Sequence, residues 1–277
     1  MPEPTDRGRI LKHVAKALLH RMGLDVHRIA KPVRGARRDD LEFYRTALGD
    51  VYLPLSAPND AIIAHMRRGQ VFEPEVVEIA QRYIRPGTTV IDLGSNFGQM
   101  AMLFARAVGD GHVYAFEAQR RVYDILCKNL HANGIENVRA EFKAAFNESG
   151  RIFHFPEPDF TRFAAFGSYN LPLCAAIGPE VTSIRIDEYE FERPVSFMKV
   201  DVQGCDLFAM QGAMGTIMQH RMPILFEFEQ RFQAEYATTF QDYVDFVQSI
   251  DYRFIETTLD INFLIIPKES MSDSIPA

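Results

Sequence analysis

Asp92, Gly94, Ser95, Asn96 and Gly98 lie in Val90-Ile91-Asp92-Leu93-Gly94-Ser95-Asn96-Phe97-Gly98, where an apolar run gives way to a helical pattern. A strand that ends in a glycine loop and opens a helix is a nucleotide site. Gly94 lets the chain turn tightly, and Gly98 lets backbone N–H groups at the helix start approach a ligand. Asp92 narrows the ligand. A dinucleotide would set diphosphate on this loop, where a carboxylate repels it. S-adenosylmethionine brings an α-ammonium and a cationic sulfonium instead, and an acid beside them is favourable. Glu117 ends the next apolar run, His112-Val113-Tyr114-Ala115-Phe116, nineteen residues after Gly98. A carboxylate so placed can accept both ribose hydroxyls. The plainer account of the same residues is a tight turn followed by a surface acid.

Ligands of open α/β sheets gather at the carboxyl ends of the strands, so Asp201 and Glu227 join the candidate site. Asp201 lies in Phe197-Met198-Lys199-Val200-Asp201-Val202-Gln203-Gly204-Cys205-Asp206, which runs from strand through glycine turn into helix. Lys199 within that strand needs a counter-charge, for which Asp201, Glu227 and Glu229 are the candidates. Methyl transfer from a sulfonium requires alignment of the acceptor and, for a hydroxyl, a place for its proton. Asp201 is the first candidate base, Glu227 the second, and His154 a third. The structural alternative for Asp201 is an ion pair with Lys199 or a cap on the following helix. Ala118 and Ala144, just beyond the second and third core strands, complete the candidate cofactor wall.

The elements that must position these groups follow from apolar patterning. Short apolar runs near 88–93, 112–117, 137–143, 195–201 and 223–228 alternate with helical stretches near 97–108, 119–133, 205–220 and 240–249. This rhythm predicts a doubly wound, mostly parallel sheet over 86–268. The runs Tyr252–Glu256 and Asn262–Ile266 are separated by too few residues for a crossover helix, so they should form an antiparallel hairpin. An insertion at about 150–190, rich in Phe153, Phe155, Phe160, Phe163, Phe166 and Tyr169, is either an acceptor-binding lid or an aromatic packing layer. Within it, Val181–Asp187 alternates like a strand. Residues 41–85 read as a lead-in cap with a helix over Glu73–Tyr83, and 269–277 as a tail.

Residues 1–40 carry ten Lys or Arg against five acids, with Ile10, Leu11, Val14, Leu18, Leu19 and Met22 at helical spacing. This predicts a basic amphipathic helical extension. It either docks on the domain or makes peripheral contact, through residues 1–30, with an anionic membrane or a lipid-linked substrate. The whole chain of 277 residues, 47% hydrophobic and 24% charged, has an ordinary globular composition. A net charge of −7 argues against a general nucleic-acid binder. No apolar run is long enough for a membrane span and the start lacks a signal-peptide layout, so a cytoplasmic location is expected. Cys127, Cys174 and Cys205 are scattered and read as reduced. The histidines show no metal-ligand spacing, so no metal is expected.

With these residues in view, the chain resembles the FkbM family of S-adenosylmethionine-dependent methyltransferases over roughly residues 85–230. The resemblance rests on VIDLGSNFG at 90–98, VYAFEA at 113–118, CKNLHANG at 127–134, SFMKVDVQGCD at 196–206 and PILFEFE at 223–229. The family pattern is DxGANxG, then FEP, then KxDVEGxE. Here Ser95 replaces an alanine, Ala118 the proline, Gln203 the first acid of the third motif and Asp206 the second. The resemblance implies a class I methyltransferase, Rossmann-like fold, S-adenosyl-L-methionine as cofactor, and O-methylation of a sugar hydroxyl in a glycan or glycolipid, or of a secondary metabolite. Two other readings stay open: an NAD-dependent oxidoreductase, although the loop lacks GxGxxG, and a methyltransferase-like scaffold without catalysis, which Gln203 favours.

Overall fold

A computed structural model describes residues 33–34, 41–55, 57, 60–155, 166, 171, 173 and 177–270. The predicted extension at 1–40 and tail at 269–277 lie almost wholly outside them, as do Phe160, Phe163, Tyr169 and Cys174. The core is a seven-stranded sheet of β4 (Thr89–Leu93), β5 (His112–Glu117), β6 (Val138–Phe142), β10 (Val195–Val200), β11 (Ile224–Glu227), β12 (Tyr252–Ile255) and β13 (Asn262–Pro267). Its spatial order is β12-β13-β11-β10-β4-β5-β6. Five strands are parallel, and β13 runs antiparallel to both β11 and β12. This is the class I methyltransferase architecture, with the expected hairpin at one edge. The chain order reverses between β4 and β10, which opens a crevice beyond their carboxyl ends.

Alternating side chains give the sheet two cores. On one face Val90, Val113, Phe197, Leu225 and Leu264 pack beneath α2 (Pro74–Tyr83) and α3 (Gln99–Val108). On the other, Ile91, Met198, Ile224 and Phe226 pack against α5 (Asp206–Gln211), α6 (Met214–His220) and α7 (Phe240–Ser249). Helix α4 (Arg120–Ala132) buries Val122, Ile125, Leu126, Asn129 and Leu130, a single stripe at spacings of three and four.

The expected helix over 205–220 is instead α5 and α6, broken at Gly212-Ala213. The backbone of Phe146 presses on that point, where a Cβ on Gly212 would lie 1.9 Å from the Phe146 carbonyl oxygen. Asp187 then caps the new start, accepting from the Gly215 and Thr216 amides at 3.0 and 2.8 Å.

The lead-in segment holds more structure than its turn-rich sequence suggests. Strands β2 (Leu41–Thr46) and β3 (Gly49–Pro54) form a hairpin, with the two-residue β1 (Val33–Arg34) paired to β2, followed by α1 (Ala61–Arg67) and then α2. In the insertion, β7 (Ala144–Ala145), β8 (Ile152–His154) and β9 (Glu180–Ile184) form a small sheet of order β7-β9-β8. The strand-like alternation near 181–187 corresponds to β9 and the short 3-10 turn Ile186–Glu188.

Candidate active site

The turn after β4 packs against the turn after β10. Gly94 adopts φ 81°, and a Cβ there would lie 1.8 Å from the Asp201 carbonyl oxygen, so only glycine permits the contact. The Asp201 amide in turn donates to the Leu93 carbonyl at 3.0 Å. Beyond this crossing lies a cavity of about 330 Å³, within the size range of small-molecule sites. Of the residues singled out in the sequence, Gly94, Ser95, Asn96, Glu117, Ala118, Ala144, Asp201 and Glu227 line it.

Three predicted residues do not line the cavity. Gly98 caps α3, where a Cβ would meet Leu126 at 2.6 Å. Asp92 is fully buried, faces Lys199 across the β4–β10 register, and approaches its ammonium at 3.9 Å. Among the described residues neither carboxylate oxygen of Asp92 has a hydrogen-bond donor, the Ser95 hydroxyl donating to the Asp92 backbone carbonyl at 2.9 Å instead. Burial pushes its pKa up, while the Lys199 charge works the other way. His154 sits on β8 with Nδ1 3.3 Å from the Gly178 carbonyl oxygen.

Glu117 occupies the cofactor side. Its Oε2 accepts from the Asn96 amide at 2.9 Å and its Oε1 from the Gln119 amide at 2.8 Å, which leaves a lone pair on each oxygen. Burial lifts its pKa to about 7, against the pull of those amides. Phe97, Phe116, Val122, Ala118 and Ala144 add apolar walls. A half-buried, doubly oriented carboxylate beside apolar surface fits a ribose joined to an adenine. Ser95, Asn96 and Glu117 would hold that nucleoside.

Two to three strand spacings away, roughly 10–14 Å across the sheet, the chemistry changes to a charged network. Lys199 donates to Asp201 Oδ2 at 3.0 Å. Burial opposes the ammonium charge, but Asp201 and Asp92 outweigh it and drive the Lys199 pKa up. Gln203 donates from Nε2 to Asp201 Oδ1 at 2.9 Å and to Glu227 Oε1 at 3.0 Å, and its Oε1 accepts from Arg231 at 3.2 Å. Arg231 also donates to Glu229 at 2.6 Å. Glu227 is raised to about 10 by burial first and by Asp201 second, so at neutral pH it is a neutral carboxyl. Asp206 is raised to about 8 by burial and holds the loop from below, accepting from the Val202 and Gly204 amides at 3.3 and 3.0 Å. Among the described residues no group of His, Cys, Asp or Glu side chains is arranged to hold a metal ion.

The sequence reading missed Glu73, Gln119, Lys143 and Arg231, which also line the cavity. None carries a motif signal, because each reaches the site through tertiary placement. Glu73, Asn96 and Gln203 share one trait, left-handed backbone at φ 54°, 48° and 52° on residues other than glycine. Such conformations cost on the order of 1–3 kcal/mol each and cluster where function requires them.

Residues 92–254 match the model of the Methyltransferase FkbM domain. No curated protein matches the chain. Among solved structures it is similar to an FkbM methyltransferase from Methylobacillus flagellatus KT at 18% identity and TM-score 0.45, covering 69% of this chain and 50% of that one. A SAM-dependent O-methyltransferase from Thermotoga maritima matches at 14% identity and TM-score 0.43, covering 89% of each chain. A protein from Streptococcus mutans solved in complex with SAH matches at 12% identity and TM-score 0.42, covering 71% of this chain and 97% of that one. The family match spans more than half the sequence and coincides with the cavity-bearing sheet. The chain therefore belongs to the FkbM family of methyltransferases, whose methyl donor is S-adenosylmethionine.

Proposed function

We propose that this methyltransferase acts on a hydroxyl, that of a sugar in a glycan or glycolipid or of a related polyol. The observation that carries the reading is the pairing of Asp201 with Glu227 through the Gln203 amide at the strand ends. One carboxyl of this pair is ion-paired to Lys199, and burial together with the Asp201 charge pushes the other toward its protonated form. S-adenosylmethionine supplies a methyl group on a good leaving group. The chain's part is to orient the acceptor and take its proton.

Asp201 is the group placed for that task. Lys199 and Gln203 fix one lone pair on each of its oxygens, and the remaining lone pairs are free to accept the hydroxyl proton. Glu227, carrying its own proton, serves as a hydrogen-bond donor to the acceptor rather than as a base. Gln203, where the family pattern has an acid, fills the space between two carboxyls that a third acid would crowd. That arrangement supports an active enzyme over an inactive scaffold. No described helix is long and apolar enough to cross a membrane. Contact of residues 1–30 with a membrane or a lipid-linked acceptor is part of the same proposal.

The test is mass spectrometry of cell-envelope glycans from cells with and without the protein. The expected result is a sugar residue heavier by one methylene only when the protein is present. Methyl transfer from labelled cofactor to amine or carbon acceptors in the extract, with none to hydroxyls, would overturn the reading.

A further inference from the structure

Glu73 lies outside the family-matched segment, yet its side chain lines the same cavity as Asp201 and Glu227. Its backbone is held at φ 54°, ψ 61° immediately before Pro74, a position where the helical regions are disfavoured for any residue with a side chain. Helix capping does not explain this geometry, because the Glu73 side chain makes no cap hydrogen bond to α2. What holds it is Gln99, the first residue of α3, buried beneath the segment. Gln99 Oε1 accepts from the Phe72 amide at 3.0 Å and Gln99 Nε2 donates to the Phe72 carbonyl at 3.2 Å. A two-way clamp from the cofactor-loop helix thus fixes the residue next to Glu73.

The carboxyl delivered by this clamp is unspent. It makes no ion pair or hydrogen bond with any described residue, and its charged neighbours are Asp201, Lys199 and Glu75. The other acids at this end of the cavity are committed: Asp201 to Lys199 and Gln203, Glu227 to Gln203, Glu229 to Arg231. We propose that Glu73 is a third carboxyl of the methyl-transfer centre, and the one that binds the acceptor by accepting a hydrogen bond from a donor beside the methylated hydroxyl. The acceptors it selects carry adjacent donors, as a sugar ring does. The inference rests on the reading that Asp201 faces the acceptor.

The experiment uses two cofactor analogues and so needs no acceptor. S-adenosylhomocysteine has no group at the methyl position, whereas sinefungin carries an ammonium there, which a carboxylate beside the transfer centre attracts. Isothermal titration of both ligands into the wild-type protein, Glu73→Gln, Glu73→Gly and Asp201→Asn gives their affinity ratio. In Glu73→Gln the preference for sinefungin should fall about tenfold, the size of one lost charge-assisted contact. Binding of S-adenosylhomocysteine should stay within about twofold. Glu73→Gly should lose the same preference while its melting temperature rises by roughly 2–4 °C, because glycine relieves the left-handed strain.

An unchanged ratio in both Glu73 variants overturns the inference, as does an equal loss of both ligands. A lower melting temperature in Glu73→Gly would make the residue a structural one. If Asp201→Asn lowers the ratio while Glu73→Gln does not, only the Glu73 inference fails. If neither does, the placement of the transfer centre fails with it.

Discussion

Lys199 stands between two carboxylates with opposite surroundings, Asp92 sealed below the sheet end and Asp201 open to the cavity. Replacing each partner should therefore do different things. Lys199→Met leaves Asp92 buried without a cation, which costs about 3–5 kcal/mol, and a lower melting temperature should show it. Asp201→Asn keeps a hydrogen-bonding group beside Lys199 but removes the proposed proton acceptor. Turnover should drop about 10²–10⁴-fold with little change in S-adenosylhomocysteine affinity, measured by steady-state kinetics and titration. On the cofactor side, Glu117 titrates at about 7 because burial disfavours its charge. Ribose hydroxyls donate best to the ionised form, so S-adenosylhomocysteine affinity should increase as pH rises through about 7. Glu117→Gln should flatten that dependence. The acids at strand ends were legible in the sequence because strand, glycine turn and helix leave few places for them. Asp92 was read as a cofactor contact, and its burial could not be foreseen, since the same strand-end position can turn into the cavity or into the sheet.

At the scale of elements, the hairpin of β2 and β3 is tied to the domain by two asparagines of the segment from 127 to 134. Asn133 accepts from the Asp50 amide at 2.9 Å and donates to the Asp50 carbonyl at 2.6 Å. Asn129 accepts from the Tyr52 amide at 2.7 Å and donates to the Phe97 carbonyl, in the cofactor loop, at 2.9 Å. Loss of either strands polar backbone groups at about 1–3 kcal/mol apiece. Asn133→Ala should lower the melting temperature and spare cofactor affinity. Asn129→Ala should lower both, because it alone reaches the loop. Thermal unfolding and isothermal titration on the pair separate the two cases. The core strands and the closing hairpin were legible from alternation and spacing alone. The β2–β3 hairpin was not, since its pairing is completed by side chains some eighty residues away, and the break at Gly212 depends on Phe146, which no local pattern reveals.

For the whole molecule, two buried acids and one half-buried acid hold protons that the unfolded chain would release. Glu117, Asp206 and Glu227 are raised to about 7, 8 and 10, with burial the leading cause in each. A carboxyl raised on folding contributes stability that is complete below its unfolded pKa and is lost as pH climbs through the folded value. The protein should therefore be more stable near pH 5 than near pH 9, with melting temperature falling across that interval. Glu269, held down to about 2 by Arg221, acts in the opposite sense only below that range, and His220, lowered by burial, opposes the trend only at its acidic end, one group against three. A flat or rising melting temperature would contradict the protonated state of these groups. The family-matched sheet and cofactor loop were readable as a whole, whereas the lead-in segment was readable only as an attachment. The contact between Gly94 and the Asp201 carbonyl gives that division a meaning. With no room even for a methyl group between the two turns, the glycine loop after β4 and the Asp201 turn move as one rigid part, and a change in either would misalign both. A chain built in this way can acquire a new substrate only by altering what surrounds the fixed pair. The strained turn at Glu73, which belongs to neither half of that pair, is then the kind of part that can change while the grip axis stays set.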